Sequence, residues 1–391
     1  MRIESNITTG LAKIPNKVKL SEFPLTKLDL SAIDGIQKDI PLFEGVKIED
    51  IAFITKHLET LNLFRGCKLG CSHCLKNAMA PKHGRESILF EDLRRFTLGF
   101  KNLSERLGFD VLNGNKYLNI IDDSNPIDSQ IKGLNRNHGV AEAIKLIYDR
   151  LHIPTLFVTS GWTEKRNGDY QYSQAAAKSI VNMVKKNPDS VVDVQISVNP
   201  FLRNTNSNQN SINSSYVNRI ARAITTFLDL FKIDKASLIY RHAQDGYDGY
   251  DANSTKQLYE AIFKKVQEMA NSTLEGFPQL APENVTKFDK SHLIEPSGRG
   301  RKFFSFEQNM KLQQELIQDS MDWGMSTKDE QRKILLNNAL KCIDIDGSVY
   351  TTKPSSAEFV ASPIEITIPT DIKLNYINKE KPNPIFSDIE V

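Results

Sequence analysis

Cysteine is scarce in this chain and tryptophan scarcer, with 4 and 2 among 391 residues. A disulfide scaffold is therefore excluded, because such frameworks spread paired cysteines through small secreted domains. An excess of charge of one sign is missing too. Lys and Arg total 50 against 48 Asp and Glu, and the resulting +2 leaves no electrostatic footprint for nucleic acid or an anionic membrane surface. No apolar run approaches the roughly 18 residues that a membrane-crossing helix needs. The opening stretch, MRIESNITTGLAKIPNKVKL, has neither an apolar core nor a small-residue cleavage pattern. No secretion signal is expected, and the expected location is cytoplasmic. No internal repeat with a period of roughly 20–50 residues is found.

Apolar material is plentiful: 40% of residues are hydrophobic and 25% charged, which excludes a chain disordered throughout. The length suits one large domain or two to three ordinary ones. Residues 1–56 carry Pro15, Pro24 and Pro41 without a sustained period, and read as an N-terminal extension. From about residue 57 short β-branched runs alternate with longer segments of helical spacing, the signature of βα units on a parallel sheet. The candidate strands are 58–64, 117–121, 155–159, 191–198, 236–240 and 292–295. Ile88, Leu89, Leu93, Phe96, Phe100 and Leu103 mark the first helix, followed by 141–151, 175–184, 217–231 and 258–269. Six such units over 57–305 suit a (β/α) barrel or partial barrel, and 306–391 read as a C-terminal extension. The Asn/Ser-rich stretch 203–215 reads as a solvated connection, and 245–251 (DGYDGYD) as a turn that misses the calcium-loop spacing.

The few cysteines are placed unevenly. Cys67, Cys71 and Cys74 form a C-x3-C-x2-C pattern directly after the first candidate strand, and Cys342 lies far away. Three thiols in one tight loop can turn their sulfurs to a common centre, and thiolate selects zinc or iron–sulfur clusters. A closed zinc site wants four ligands, and the fourth here would be Cys342, His73 or His83. Three thiolates with one open position define a different kind of site, where chemistry happens at the metal.

With this motif after strand one, the chain resembles the radical S-adenosylmethionine superfamily over roughly residues 58–300. The resemblance implies an α/β fold: a partial (β/α)6 TIM-type barrel with an N-terminal extension and a C-terminal α+β cover. It also implies a [4Fe–4S] cluster on Cys67, Cys71 and Cys74, whose fourth iron is chelated by the amino and carboxylate groups of S-adenosylmethionine. One electron, from a donor such as flavodoxin or ferredoxin, cleaves the sulfonium. The resulting 5′-deoxyadenosyl radical then abstracts a hydrogen atom from the substrate, and an enclosing barrel keeps water and stray hydrogen donors away.

The resemblance extends to further residues. Asp122, Asp123 and Ser124 stand where the family often has a Gly-Gly-Glu-like stretch that accepts hydrogen bonds from the methionine ammonium. The alternative is a capped turn, with Asp123 or Ser124 at a helix start. Gly161 would let a ligand approach the backbone, and Trp162 either walls the pocket or simply packs. Ser197 and Asn199 match the polar side chains near the ribose. Arg203 is either a partner for the S-adenosylmethionine carboxylate or a solvated loop arginine. Ser297, in 296–301 (PSGRGR), resembles the stretch that meets adenine, while the family's strand-five adenine pattern is not visible in 237–242. His73 is expected to pack near adenine and not to ligate metal.

Cys342 opens a strand–turn–strand pattern with the turn at Asp346-Gly347. This resembles the hairpin of the SPASM or twitch extensions of peptide-modifying radical enzymes. Those extensions carry several more cysteines, so a fully cysteine-ligated auxiliary cluster is excluded by counting. Cys342 is then either a small buried hydrophobe or the hydrogen-atom donor of a radical epimerase. The expected substrate is a peptide or other natural-product precursor, with a small metabolite, nucleoside or sugar as the alternative. A zinc-stabilised binding module is the competitor from another class.

Overall fold

The alternation of strand and helix is realised in a computed structural model that describes residues 39–66, 86–108, 110–112, 117–120, 125–162, 169–198, 214–242, 252–271, 291–293, 341–354 and 365–376, with positions 35, 274, 276, 277 and 280. Helix α1 (Ile48–His57) runs straight into strand β1 (Leu58–Leu61). A small ribbon follows, β2 (Phe64–Arg65) antiparallel to β3 (Glu86–Ser87). Then come α2 (Phe90–Leu107), β4 (Leu118–Asn119), α3 (Val140–Leu151), β5 (Thr155–Thr159) and α4 (Asp169–Lys186). The second half holds β6 (Val191–Val198), α5 (Ser214–Phe231), β7 (Ala236–His242), α6 (Ala252–Ala270) and β8 (Ser291–Leu293). Strands β9 (Lys341–Ile343), β10 (Ser348–Pro354) and β11 (Glu365–Lys373) close the described chain.

Local sequence explains the helices. In α2, Leu93, Phe96, Phe100 and Leu103 repeat at three- and four-residue steps and all are buried. Glu91 and Asp92 occupy its positive first turn, and it stops at Gly108 in the left-handed region, φ 73°. In α5 the stripe Tyr216, Val217, Ile220, Ala221, Ile224, Phe227 and Phe231 is buried in the same way. That helix starts at Ser214, so the last two residues of the Asn/Ser-rich stretch are helical and not loop.

Nine strands form one sheet in the order β11-β10-β9-β1-β4-β5-β6-β7-β8. From β9 to β8 every neighbouring pair is parallel. Strand order from β1 to β8 follows chain order without reversal. Parallel crossovers are right-handed, so such an order places every connecting helix on one face of the sheet. Residues alternate across a strand, and in β6 Val194, Ile196 and Val198 are at most 1% exposed beneath that helical layer. The opposite face receives Asp193, Gln195 and Ser197. Among the described strands the sheet is open, with β11 and β8 as its edges.

Two ends differ from the sequence reading. The described part of the N-terminal segment is core: Ile40, Leu42, Phe43, Ile51 and Ile54 are at most 1% exposed and join the main cluster. The described strands of the C-terminal segment extend the sheet, with β9 parallel to β1 and β10 and β11 antiparallel beyond it. Among the described residues no helix is long and apolar enough to cross a membrane.

Candidate functional site

Beyond Leu61 the chain stays tied to both neighbouring strands, the Asn62 N–H donating to the Ile343 carbonyl (2.8 Å) and the Leu63 N–H to the Ile120 carbonyl (3.3 Å). Phe64 and Arg65 then peel away to pair with Ser87 and Glu86. The segment that carries the three cysteines therefore leaves and returns at one place, the Arg65–Glu86 pair. Cys67, Cys71, Cys74, His73 and His83 themselves lie outside the described residues. So do Asp122, Asp123, Ser124, Asn199, Arg203, Ser297 and the stretch 245–251.

Arg65 ties this place to the C-terminal strands. Its guanidinium donates to Glu86 Oε2 (3.1 Å) and to the carboxylate of Asp344. Burial alone lowers an arginine pKa, but Asp344, Glu86 and Asp346 outweigh it and hold Arg65 above its ordinary value. Asp344 is 8% exposed and also accepts the Ile345 N–H at 2.8 Å. The turn closes through Gly347, φ 84°, whose N–H reaches the Asp344 carbonyl (2.9 Å). A Cβ at Gly347 would lie 2.5 Å from the Leu374 carbonyl oxygen, so only glycine fits.

Cys342 sits in β9 in register with Thr60 of β1 and Tyr350 of β10. All three are half-buried, whereas Ile343 is fully buried in the core. Paired residues share a face, so this row continues through Asn119, Leu156 and Asp193. Asp193 accepts from Ser237 Oγ at 2.5 Å and from Gln195 Nε2 at 3.3 Å. Cys342 and Ser197 thus lie on the polar face of the sheet, away from the helices. Ser197 is 4% exposed, one residue before the end of β6.

At the C-terminal edge of β5 a buried polar chain fixes the loop that follows β4. Asn125, 2% exposed, accepts from Thr159 Oγ1 (2.7 Å) and donates to the Gly161 carbonyl (2.8 Å) and Asp128 Oδ2 (2.7 Å). Ser173 of α4 donates to the other Asp128 oxygen (2.9 Å), and the Gly161 N–H returns to Thr159 Oγ1 (3.2 Å). Tyr172 donates to the Ser129 carbonyl (3.0 Å), and its buried phenol pKa is pushed up to about 12, with Glu142 and Asp128 adding to the desolvation. Asn125 is also the N-cap residue of the short turn Pro126–Asp128, but its side chain does not cap it.

Beside this anchor are hydrogen-bond donors left over. Trp162 is fully buried, and its indole N–H has no acceptor among the described residues. Arg219, in the second turn of α5, lies over the Tyr216 ring at 5.1 Å, and its Nε and Nη2 likewise have none. Gly161 (φ 69°) lets the two elements meet: a Cβ there would lie 3.1 Å from the Arg219 carbonyl and 3.2 Å from its Cγ. Sequence reading picked out Trp162 but missed Arg219, whose signal was a cation inside the apolar stripe of α5. Buried unpartnered donors cost free energy, and a ligand carboxylate or carbonyl at this edge would satisfy them.

Three comparisons, with protein-family models, with curated proteins and with solved structures, found no match to this chain. Among the described residues no group of three or more His, Cys, Asp or Glu side chains could hold a metal ion. Residues 67–74 hold three cysteines and no fourth, a donor set of the type that suits an iron–sulfur cluster with an open corner.

Proposed function

We propose that this chain is a radical S-adenosylmethionine enzyme on a partial (β/α)6 barrel, with Cys67, Cys71 and Cys74 holding a [4Fe–4S] cluster. The observation that carries the reading is positional. A C-x3-C-x2-C segment begins and ends at the C-terminal edge of the first strand of a sheet whose order follows the chain. Brought one electron by flavodoxin or ferredoxin, the cluster supplies reductive cleavage of bound S-adenosylmethionine to a 5′-deoxyadenosyl radical. The chain's own residues bind and orient. Arg219 and Trp162 donate to the carboxylate end of the methionine moiety. Asp122, Asp123 and Ser124, which directly precede Asn125 in the sequence, accept from its ammonium. Ser197, Asn199 and Ser297 meet the nucleoside, and His73 packs beside the adenine.

The substrate class proposed is a peptide or natural-product precursor. Cys342, half-buried on the polar face, supports epimerisation: a carbon radical made on one side would take a hydrogen atom from the weak S–H bond on the other, leaving a thiyl radical that one electron from the same carrier and one solvent proton return to the thiol. Turnover of the Cys342→Ala variant in D2O tests this. Loss of deuterium incorporation is expected, and undiminished incorporation at unchanged turnover removes Cys342 from the reaction.

Anaerobic purification tests the whole reading. Brown protein with about four irons per chain that releases 5′-deoxyadenosine on adding reductant and S-adenosylmethionine is the expected result. Colourless protein with stoichiometric zinc overturns it in favour of a zinc-stabilised module.

A further inference from the structure

We propose that Tyr350 is the radical relay of Cys342: its phenol gives a hydrogen atom to the spent Cys342 sulfur and is then restored by one electron and one solvent proton. This rests on the reading of Cys342 as hydrogen-atom donor, and names the residue through which that thiol is reset.

The first observation is register. Strands β9 and β10 are antiparallel, and Tyr350 stands directly opposite Cys342, with Val349 opposite Ile343 and Thr351 opposite Lys341. Residues opposed in this way share a face and bring their Cβ atoms to about 4.5–5.5 Å. The turn fixes that register. The Asp344 N–H donates to the Ser348 carbonyl (2.9 Å), the Ser348 N–H to Asp346 Oδ1 (3.1 Å) and the Leu374 N–H to the Gly347 carbonyl (2.8 Å). The neighbouring pair, Ile343 and Val349, is at most 1% exposed. A slip of one residue would turn that pair out of the core, so Cys342 and Tyr350 stay together on the polar face.

The second observation is the setting of the phenol. Burial, and after it the carboxylates of Asp344 and Asp346, holds its pKa above the ordinary value, with Arg65 opposing and Cys342 adding. The proton therefore stays on the oxygen at neutral pH, which keeps an O–H bond available to a radical. Tyr350 lies in the field of Cys342 and of the Arg65–Asp344 pair together, and Arg65 stands two residues before Cys67.

The third observation is the contrast with Tyr376. The Cys342 thiol acts on that phenol too, but Tyr376 is 8% exposed within the main core, and its hydroxyl has no hydrogen-bond partner among the described residues. A radical formed there would have no route to a proton. Tyr350 is half-buried, so its oxygen can exchange one with solvent. The steps balance. The phenolic O–H breaks as the S–H bond forms, one proton and one electron moving together from Tyr350 to the thiyl sulfur. The phenoxyl oxygen then takes one electron from the reduced flavin or iron–sulfur carrier and one proton from solvent. The two bonds are of similar strength, so the exchange runs in either direction until the second step draws it forward.

The test makes the Cys342 radical directly, without a substrate. In the full chain Cys67, Cys71 and Cys74 are replaced by Ser, so that Cys342 is the one thiol left of 4. That thiol is nitrosated and the frozen protein illuminated, which splits the S–N bond homolytically and leaves the sulfur radical. Paramagnetic resonance on annealing is expected to show a tyrosyl signal, narrowed when the protein is made with ring-deuterated tyrosine. The signal is expected to be lost in Tyr350→Phe, which keeps the ring and its packing, and to persist in Tyr376→Phe. Circular dichroism checks that each variant is folded. The same tyrosyl signal from Tyr350→Phe, or a sulfur radical that decays beside Tyr350 with no tyrosyl signal, overturns the relay. The enzyme reading is scored apart from this, on the unmodified chain with its cluster: no 5′-deoxyadenosine from reductant and S-adenosylmethionine overturns that reading, whatever the resonance experiment shows.

Discussion

Replacing Cys71 by alanine is expected to leave the anaerobically purified chain colourless and stripped of iron, whereas Cys342→Ala retains the full complement. The contrast follows from where the thiols sit. Cys67, Cys71 and Cys74 belong to one segment flanked by the Arg65–Glu86 pair, so their spacing is local and each would be one third of the chain's hold on the proposed cluster. Removing one thiolate leaves two, too few to retain a cuboidal cluster that also keeps an open corner. Cys342 is embedded in β9 between Thr60 and Tyr350, with its strand position set by pairing on both sides. Iron and acid-labile sulfide assays on the two variants read the difference. Loss of metal from Cys342→Ala as well would identify it as a fourth ligand, the pattern of a closed zinc-type site, and the open-corner reading would fall.

The coarse architecture was legible because its signals are local. Strands 155–159 and 191–198 stand in the structure with the boundaries their sequence pattern indicated, each preceded by a proline-bearing break at Pro154 and at Pro188. The face of α2 followed from the spacing of Leu93, Phe96, Phe100 and Leu103. What was missed is non-local. The strand expected over 58–64 ends at Leu61, and Phe64 and Arg65 pair instead with Ser87 and Glu86, while β1 itself takes its neighbour β9 from residues 341–343. Local patterning carries no trace of that partner. α1 was hidden because only Ile51 and Ile54 mark its buried side before the strand begins. The hairpin at Asp346-Gly347 was recognisable from its turn residues, but its addition to β1 as a seventh parallel strand was not.

The candidate site divides along the same line. The chemistry proposed for it rests on three closely spaced cysteines, which lie outside the described residues. Its supports were not. Arg65 looks like an ordinary loop cation until Asp344 and Glu86 are seen on either side of it. Through that contact the C-terminal strands that carry Cys342 are joined to the start of the cysteine segment. The extension therefore belongs to the construction of the site and not only to its surroundings.

The same logic makes Asn125→Asp the most costly single change expected at the sheet edge, about 3 kcal/mol or more at neutral pH. Asparagine is the residue type that fits, because it must donate twice, to Asp128 and Gly161, and accept once, from Thr159. An ionised aspartate accepts only. It would set one carboxylate against that of Asp128 and against a backbone carbonyl, at a position 2% exposed. Protonation relieves part of this, so the folded-state pKa of the introduced acid is raised above its unfolded value of about 3.9. The sign follows: the folded state binds the extra proton, and the deficit is smallest below that value and grows as pH rises through the raised pKa. Urea unfolding at about pH 4 and about pH 7 checks both magnitude and direction. Asn125→Ala, which adds no charge, is expected to cost about 1–3 kcal/mol at both pH values. Equal stability of Asn125→Asp and the wild type at neutral pH would show that the loop after β4 is held by something other than this chain of hydrogen bonds.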